Sequence, residues 1–225
     1  MNIVSSSEMK AMDKKAIEGG ISSITLMKRA SLFMKENIDS SISTCILCGS
    51  GNNGGDGLSL AEDLVNTCKK LLVVLVSAPK TDEAKYYLNR IKDKVETVEY
   101  TKDLNLTSFD QIIDCMLGVG LDREVTGKYK DIIDYVNSLD KYVVACDIPS
   151  GLSGSTGLVS TAICANKTVT FGAYKLGHFI NSGKDYIGEI IVSDIGINTD
   201  DSLCKIYQKE DFKYAFPILK QDLHK

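Results

Sequence analysis

The chain has 225 residues, of which 44% are hydrophobic, and 30 acidic against 26 basic side chains give a net charge of −4. This length suits one large α/β domain with a buried core and is too short for two. The interspersed charges offer no basic stripe for nucleic acid, no apolar run reaches the roughly 18 residues of a membrane span, and the start lacks a secretory pattern.

Two amphipathic helices open the predicted fold. Ser5 and Glu8 fit a capping box that begins the first helix, and Gly19 with Gly20 ends it. An apolar stripe at helical spacing predicts the second helix over residues 25–38.

Strands and helices then alternate along the chain. Short apolar runs predict strands at residues 45–47, 71–76, 95–98, 111–114, 142–146, 168–171 and 189–193. Helices are predicted at residues 58–68, 82–94 and 129–139. Repeated βα units indicate an α/β fold, a doubly wound parallel sheet with helices on both faces. We expect residues 1–205 to form this domain and residues 206–225 to be a linker or edge segment.

The seven cysteines are an odd number, and only Cys45 and Cys48 form a CxxC pair. This pair lies in a predicted strand, where residues i and i+3 point to opposite faces. We therefore expect buried, reduced thiols in a cytoplasmic protein rather than a metal or redox site.

Three segments rich in glycine and aspartate each follow a predicted strand. They are Gly-Ser-Gly-Asn-Asn-Gly-Gly-Asp-Gly at 49–57, Asp-Cys-Met-Leu-Gly-Val-Gly-Leu at 114–121 and Asp-Ile-Pro-Ser-Gly at 147–151. Loops that leave the carboxyl ends of parallel strands share one crevice. The sequence therefore predicts that Asp56, Asp114 and Asp147 gather there. Neighbouring carboxylates need a proton, a cation or a cationic ligand group to coexist, so this pattern indicates an active site.

Gly49, Gly51 and Gly54 also match the dinucleotide-binding fingerprint. A dehydrogenase needs an acid at the end of the second strand, whereas residues 76–79 hold none and the next acid is Asp82. A nicotinamide dehydrogenase is therefore the weaker hypothesis. The alternative is that residues 52–56 contact a ligand, with glycines allowing close approach and side-chain oxygens as partners.

Asn53, Asp114 and Ser150 together offer hard oxygen ligands, which suit an alkali or alkaline-earth cation rather than zinc. Taken alone, Asp114 is also explained as a helix N-cap or a satisfied group at a strand end. Pro149 stiffens the loop after Asp147, which leaves Asp147 as the candidate acid/base.

Lys175 and His178 follow another predicted strand. Lys175 either contacts a phosphate or is solvated, and we expect His178 to be structural. The chain has only two histidines, so a Ser/His/Asp or Cys/His hydrolase site is not expected.

These motifs resemble the NAD(P)H-hydrate epimerase family (YjeF N-terminal domain), the N-terminal domain of bifunctional nicotinamide nucleotide repair proteins. The most specific matches are Gly-Asn-Asn-Gly-Gly-Asp-Gly at 51–57, Asp-Ile-Pro-Ser-Gly-Leu at 147–152 and Thr-Phe-Gly-Ala-Tyr-Lys at 170–175. The resemblance extends from residues 8–13 to residues 194–197. It implies a Rossmann-like three-layer αβα sandwich with a mostly parallel sheet. It also implies interconversion of the R and S epimers of NADHX and NADPHX, the hydrated forms of NADH and NADPH.

The resemblance implies roles for individual residues. Asn53, Asp114 and Ser150 correspond to the family's ligands of potassium, one ion per subunit, and Asp147 corresponds to its substrate-contacting aspartate and favoured catalytic residue. With Lys175 added, the expected substrate-binding residues are Asn52, Asn53, Gly54, Gly55, Asp56, Gly118, Val119, Gly120, Leu121, Asp122, Arg123, Glu124, Asp147 and Lys175.

The chain departs from the family at several positions. Lys28 and Ser31 replace a usual glutamate and glycine, and Val119 replaces a usual threonine. Asp122 and Glu124 add negative charge near the expected phosphate site, which bears on the choice between NADHX and NADPHX.

The resemblance also implies partners. Residues 223–225 (Leu-His-Lys) are similar to the stretch that opens the ADP- or ATP-dependent dehydratase domain of fused members, so we expect that domain to follow. A homodimer formed through the N-terminal helices is expected. The alternative is a non-catalytic nucleotide-binding or dimerisation module, as in messenger-RNA decapping scaffolds.

Overall fold

The computed structural model describes residues 2–121 and 123–205 of the chain. A parallel sheet of seven strands forms its centre, in the order β4-β3-β2-β5-β6-β7-β9. The strands are β2 (Ser43–Cys48), β3 (Lys70–Leu75), β4 (Glu96–Glu99), β5 (Gln111–Cys115), β6 (Tyr142–Cys146), β7 (Lys167–Phe171) and β9 (Glu189–Ser193). The predicted three-layer α/β fold is confirmed.

Helices cover both faces of this sheet. They are α1 (Ser6–Glu18), α2 (Ser23–Glu36), α3 (Asn52–Leu64), α4 (Asp82–Ile91), α5 (Gly127–Ser138) and the short α6 (Gly183–Tyr186). The capping box is confirmed, because Glu8 N donates to Ser5 Oγ at 3.2 Å and Ser5 N donates to Glu8 Oε2 at 2.7 Å. Within the described residues, no helix combines the length and apolar character needed to span a bilayer.

The central strands are buried on both faces. Along β2, Ile46 and Cys48 belong to the hydrophobic cluster under α2, α3 and α4, whereas Cys45 and Leu47 belong to the cluster under α5. Strands covered on both sides read as continuous apolar runs, which explains why they were predictable. Cys45 and Cys48 face opposite sides of the sheet, as expected, and both are buried free thiols.

A second, three-stranded sheet was not predicted. It consists of β10 (Cys204–Lys205), β1 (Asn2–Val4) and β8 (Tyr174–Lys175), with β1 in the middle. The parallel pairing of β1 with β8 places Val4 beside Lys175. Because α1 starts two residues after Val4, this pairing fixes α1 next to Lys175. The expected linker at 206–225 lies outside the described residues.

Helix α3 corrects the prediction for residues 52–57, which we expected to be a loop. The helix begins at Asn52, so the glycines form its first turns. A Cβ on Gly54 would lie 2.0 Å from the carbonyl oxygen of Gly49, and one on Gly57 would lie 2.8 Å from Cys115 Cβ. Close packing of this helix against the β2 loop and the sheet requires the glycines and overrides their low helix propensity of about 1 kcal/mol each.

Helix α4 and strand β4 also differ from their predicted bounds. The amide of Val95 donates to Ile91 O at 3.0 Å, so Val95 belongs to the turn that ends the helix rather than to the strand. The strand order reverses between β2 and β5. The carboxyl ends of these two strands therefore mark the crevice where ligands bind in open α/β sheets.

Candidate active site

A cavity of about 580 Å³ opens at the carboxyl ends of β2, β5 and β6. Helices α1, α2 and the start of α3 form its walls together with the loop after β5. Of the expected substrate-binding residues, the ones that line it are Asn52, Asn53, Asp56, Gly118, Val119, Gly120, Leu121, Arg123, Asp147 and Lys175.

Three of the other expected substrate-binding residues are described and do not line the cavity. Gly54 and Gly55 pack inward, and a Cβ on Gly55 would lie 2.6 Å from Met27 Cε. Both glycines therefore allow close packing of α3, and neither lines the cavity. Glu124 is exposed and does not line the cavity. Asp122 lies outside the described residues.

Asp147 follows β6 in a conformation that is rare for a residue with a side chain, with φ of 66°. Its Oδ1 accepts hydrogen bonds from Thr170 Oγ1 at 2.9 Å and Phe171 N at 3.1 Å, and it forms an ion pair with Lys175 Nζ. Within the described residues, no donor reaches Oδ2. One carboxylate oxygen is thus fixed and the other is available on the cavity wall. The backbone strain, of order 1–3 kcal/mol, is tolerated because these contacts hold the residue in place.

Lys175 is completely buried. Its Nζ donates to Asp147 Oδ1, to Thr170 Oγ1 at 2.8 Å and to Phe171 O at 2.9 Å. The solvated interpretation of Lys175 is therefore wrong. The phosphate interpretation is not supported either, because all three ammonium protons already have acceptors.

His178 is also buried, and its Nδ1 accepts a hydrogen bond from Lys175 N at 3.2 Å. Burial, followed by the charge of Lys175, lowers the pKa of His178 to about 3, so the imidazole is neutral. This is the structural role expected for His178.

Asp13 and Asp56 are two further carboxyl groups on the cavity wall. Burial, followed by the negative charge of Asp147, raises the pKa of Asp13 to about 6. Burial and then the charges of Asp147 and Asp13 raise the pKa of Asp56 well above its ordinary value. The sequence interpretation missed Asp13. Its signal was its position one turn after the buried Met9, which places an acid near the inward face of α1.

Asp114 corrects the predicted carboxylate cluster, because it lies beneath the cavity and does not line it. Its Oδ2 accepts from Ser150 N at 2.7 Å, and its Oδ1 accepts from Ser150 Oγ at 2.6 Å and Met116 N at 3.1 Å. Ser150 Oγ also accepts from Leu117 N at 2.8 Å. Burial raises the pKa of Asp114 to about 6, although the bonds from Ser150 oppose this. Asp114 and Ser150 thus tie together the loops after β5 and β6.

Asn53 is buried, yet its Oδ1 and Nδ2 have no hydrogen-bond partner within the described residues. A Cβ on Gly118 would lie 3.2 Å from Asn53 Cβ, so the amide group sits against the loop after β5. Leaving a buried amide unpaired costs about 1–3 kcal/mol. An unpaired amide on a cavity wall therefore points to a ligand that completes its bonds.

Two cationic side chains, those of Lys10 and Arg123, lie at the loop after β5. Lys10 and Arg123 are exposed and line the cavity, and Lys10 Nζ lies 3.7 Å from where a Cβ on Gly120 would be. Neither forms an ion pair with another described residue. The cavity therefore has acids beside a buried lysine and, separately, two accessible cations near a glycine-rich loop. Lys10 was not foreseen from the sequence.

Lys28 and Ser31, two positions at which the chain departs from the family, lie on the side of α2 that faces α3. Both contact Asp63 of α3. Lys28 forms an ion pair with Asp63, and Ser31 Oγ donates to Asp63 Oδ2 at 2.9 Å. Ser31 also accepts from Ser59 Oγ at 2.9 Å. Lys28 and Ser31 therefore bind side chains of α3 and help to hold α2 against it.

The described residues do not supply the acid that a dehydrogenase needs. Strand β3 ends at Leu75, and the following Ser77 Oγ lies 3.0 Å from Tyr129 OH, with which it is hydrogen bonded. The next acid, Asp82, begins α4. A nicotinamide dehydrogenase therefore remains the less favoured hypothesis.

Known proteins with similar sequences include NAD(P)H-hydrate epimerases and bifunctional repair enzymes. Over 200 residues the chain is 37% identical to the NAD(P)H-hydrate epimerase of Limosilactobacillus reuteri (strain ATCC 55730 / SD2112), covering 85% of this chain and 94% of that protein. It is 35% identical over 209 residues to the bifunctional NAD(P)H-hydrate repair enzyme Nnr of Dictyoglomus turgidum, covering 88% of this chain but 41% of that protein.

A solved structure shares the fold. The crystal structure of yeast ynu0 matches with a TM-score of 0.72 at 18% identity, covering 86% of this chain and 88% of the yeast chain. Residues 23–177 match the family described as YjeF-related protein N-terminus. The match spans more than half of the chain and contains Asn53, Asp114 and Asp147, so the chain belongs to the YjeF-related N-terminal family.

Proposed function

We propose that this chain is an NAD(P)H-hydrate epimerase that interconverts the R and S forms of NADHX and NADPHX. The single observation that carries the proposal is the asymmetric carboxylate of Asp147, with Oδ1 held by three donors and Oδ2 available to a ligand. The names of the bacterial relatives support it. A module that only binds nucleotide has no need for such a carboxylate, so the non-catalytic alternative is less favoured.

The charges in the cavity match the two ends of such a substrate. The exposed Lys10 and Arg123 lie near the glycine-rich loop after β5, where they suit a diphosphate. Asn52 and Asn53, in the first turn of α3, line the same cavity, and backbone amides at a helix N-terminus favour anions. The acids Asp13, Asp56 and Asp147 lie together and suit the hydrated nicotinamide ring, whose nitrogen carries positive charge when the hydroxyl leaves.

The chemistry requires a hydroxyl to leave one face of the ring and return to the other. In this proposal Asp147 Oδ2 exchanges a proton with that hydroxyl or with the returning water, and the contacts of Lys175 and Thr170 with Oδ1, which hold the carboxylate still, support it. Positioned proton transfer of this kind contributes about 10²–10⁴-fold to a rate.

We also propose that Asn53, Asp114 and Ser150 bind one potassium ion per subunit. The unpaired oxygen of Asn53 supports this proposal, and Asp114 and Ser150 keep lone pairs beyond the bonds they already accept. Hard oxygen atoms of this kind suit a hard cation. When bound, the ion would supply a fixed positive charge near the loop after β5.

Three further expectations belong to the proposal. We propose a homodimer formed through the N-terminal helices and a cytoplasmic location, which the buried free thiols favour. We also propose an ADP- or ATP-dependent dehydratase as partner, fused in the order expected from the sequence. The bifunctional Dictyoglomus relative, of which this chain spans 41%, supports the fusion.

The test is direct turnover. Purified R-NADPHX is incubated with the protein in potassium and in lithium, and chromatography follows the S epimer against the spontaneous rate. We expect acceleration in potassium and a loss of at least about 100-fold in Asp147→Asn. Asp185→Asn, an exposed aspartate on α6, is the matched control and should keep full activity. Full activity in Asp147→Asn would remove Asp147 from the role.

A further inference from the structure

The cavity contains more carboxyl groups than its buried lysine, Lys175, can neutralise. Asp13, Asp56 and Asp147 all line it, and Lys175 is the buried cation beside them. The lysine is already bound to Asp147 Oδ1. Among the described residues, Asp13 and Asp56 have neither an ion pair nor a hydrogen bond to their side chains. Burial and the mutual repulsion of these carboxyl groups raise the pKa of Asp13 and of Asp56, so a proton is held in this group more readily than by isolated acids.

Asp13 is held in place although its carboxyl group is unpaired. The Ser5–Glu8 capping box fixes the start of α1, and the pairing of Val4 with Lys175 joins that helix to the strand of the buried lysine. Asp13 therefore approaches the cavity from α1, whereas Asp147 approaches it from the loop after β6. The two carboxyl groups reach one cavity from different walls.

The environments of the three acids differ. Asp147 is ion-paired, whereas burial and the charges of its neighbours raise the pKa of Asp56 well above its ordinary value. Asp13 is intermediate: burial and Asp147 raise its pKa to about 6, and Lys175 opposes them. Lys10, three residues earlier on α1, and Arg123 are further charged residues that line the cavity. A group that titrates near the working pH is best suited to give and take a proton.

We propose that Asp13 is a second proton-transfer residue of the epimerisation, serving the face of the substrate ring opposite to the face served by Asp147. The proposal rests on the epimerase function proposed above. A single carboxyl group could serve both faces only if the ring turned over inside the cavity. Two carboxyl groups on different walls remove that requirement.

The steps balance in protons and electrons. Protonated Asp13 gives its proton to the ring hydroxyl, the carbon–oxygen bond breaks with its electron pair on oxygen, and water leaves. The lone pair of the ring nitrogen stabilises the resulting cation. A second water attacks the other face, the new carbon–oxygen bond forms, and Asp147 Oδ2 takes the proton that this water releases. Proton exchange with solvent restores both residues, and the reverse reaction uses them in exchanged roles.

The test uses water labelled with ¹⁸O and both pure epimers. For Asp13→Asn we expect epimerisation to fall at least about 100-fold. Label should still enter the epimer whose hydroxyl faces Asp147, because loss and return on that one face need only Asp147. Asp147→Asn should show the complementary pattern, with label entering the other epimer. Rates without enzyme are subtracted throughout.

Two further readouts separate proton transfer from a structural role. The limb near pH 6 in the profile of kcat/KM should be present in the wild type and absent in Asp13→Asn, and Asp13→Glu should restore part of the rate. Asp185→Asn should behave as the wild type. The proposal is overturned if folded Asp13→Asn keeps the wild-type rate and profile, or loses exchange into both epimers. A wild-type protein without activity would instead overturn the epimerase function itself.

Discussion

Lys175 Nζ and Asp147 Oδ1 form a buried ion pair that joins the small sheet to the loop after β6. The lysine is completely buried, and the aspartate side chain is 15% exposed. Thr170 bridges the pair, because its hydroxyl donates to Asp147 and accepts from Lys175. The lysine therefore orients the aspartate and leaves one carboxylate oxygen to the cavity.

This pair makes a prediction about stability. Lys175→Met should lower the free energy of unfolding by about 3 kcal/mol, because it leaves the charge of Asp147 without its partner in a largely buried place. Urea unfolding measures the change, and activity should fall in parallel. Adding Asp147→Asn to Lys175→Met should recover part of the stability because the unpaired charge is gone. Lys184→Met, at an exposed lysine, is the control, and an equal loss in both lysine variants would contradict the prediction.

The unpaired amide of Asn53 predicts opposite effects with and without potassium. In lithium, Asn53→Leu should raise the free energy of unfolding by about 1 kcal/mol, because a buried amide without partners is removed. In potassium at 100 times its Kd, the wild type should gain about 2.7 kcal/mol, and the variant should gain nothing. Thermal unfolding in the two salts measures both effects.

The exposed Asn66 provides the matched control for this experiment. Asn66→Leu should keep the potassium response of the wild type. A potassium response that survives in Asn53→Leu would contradict the ligand assignment of Asn53.

The central strands β2, β5, β6 and β7 were predictable because nearly all of their residues are buried between the two helix layers, whereas the edge strands β4 and β9 are only partly buried. The predicted bounds of β6 (Tyr142–Cys146) and β9 (Glu189–Ser193) agree with the structure, and Asp147 was correctly placed at the end of its strand. The carboxyl ends of such strands meet at one edge, so most of the cavity-lining loops could be named in advance.

The contacts that complete the site could not be predicted from local sequence. Strands β1 and β8 have three and two residues, and their pairing joins Val4 to Lys175 across the whole domain. So short a strand has no periodicity to detect. Without that pairing, Asp13 was not singled out, and Lys175 was left between a phosphate contact and a solvated position.

The glycines at the start of α3 differ in whether their surroundings leave room for a side chain. A Cβ on Gly54 would lie 2.0 Å from Gly49 O, whereas one on Gly51 would meet nothing within 4 Å. Gly54→Ala should therefore lower the free energy of unfolding by about 2–3 kcal/mol through overpacking, and Gly51→Ala should change it little. Urea unfolding of the two variants is the measurement. Equal stabilities would show that the helix can move away from the β2 loop at no cost.

Asp13 predicts a pH-dependent stability. Its pKa of about 6 exceeds the ordinary value of 3.8, so the folded protein binds this proton more tightly than the unfolded chain. Stability from this group is therefore full below about pH 4 and is lost as the pH rises through about 6. Asp13→Asn should be more stable than the wild type by on the order of 2 kcal/mol at about pH 7.5, and not at about pH 3.5. Urea unfolding at both pH values tests this, and an equal gain at both would contradict it.

Lys10 predicts an electrostatic contribution to phosphate binding. Its side chain reaches the glycine-rich loop at Gly120, whereas Lys14, one turn later, lies outside the cavity lining and 3.7 Å from Glu18. Lys10→Gln should weaken NADPH binding by about 2- to 5-fold at low salt and less at high salt, because salt screens exposed charges. Nicotinamide riboside, which has no phosphate, should bind both proteins alike. Calorimetry at two salt concentrations measures these affinities, and a comparable loss in Lys14→Gln would assign the effect to the net charge of α1 rather than to Lys10.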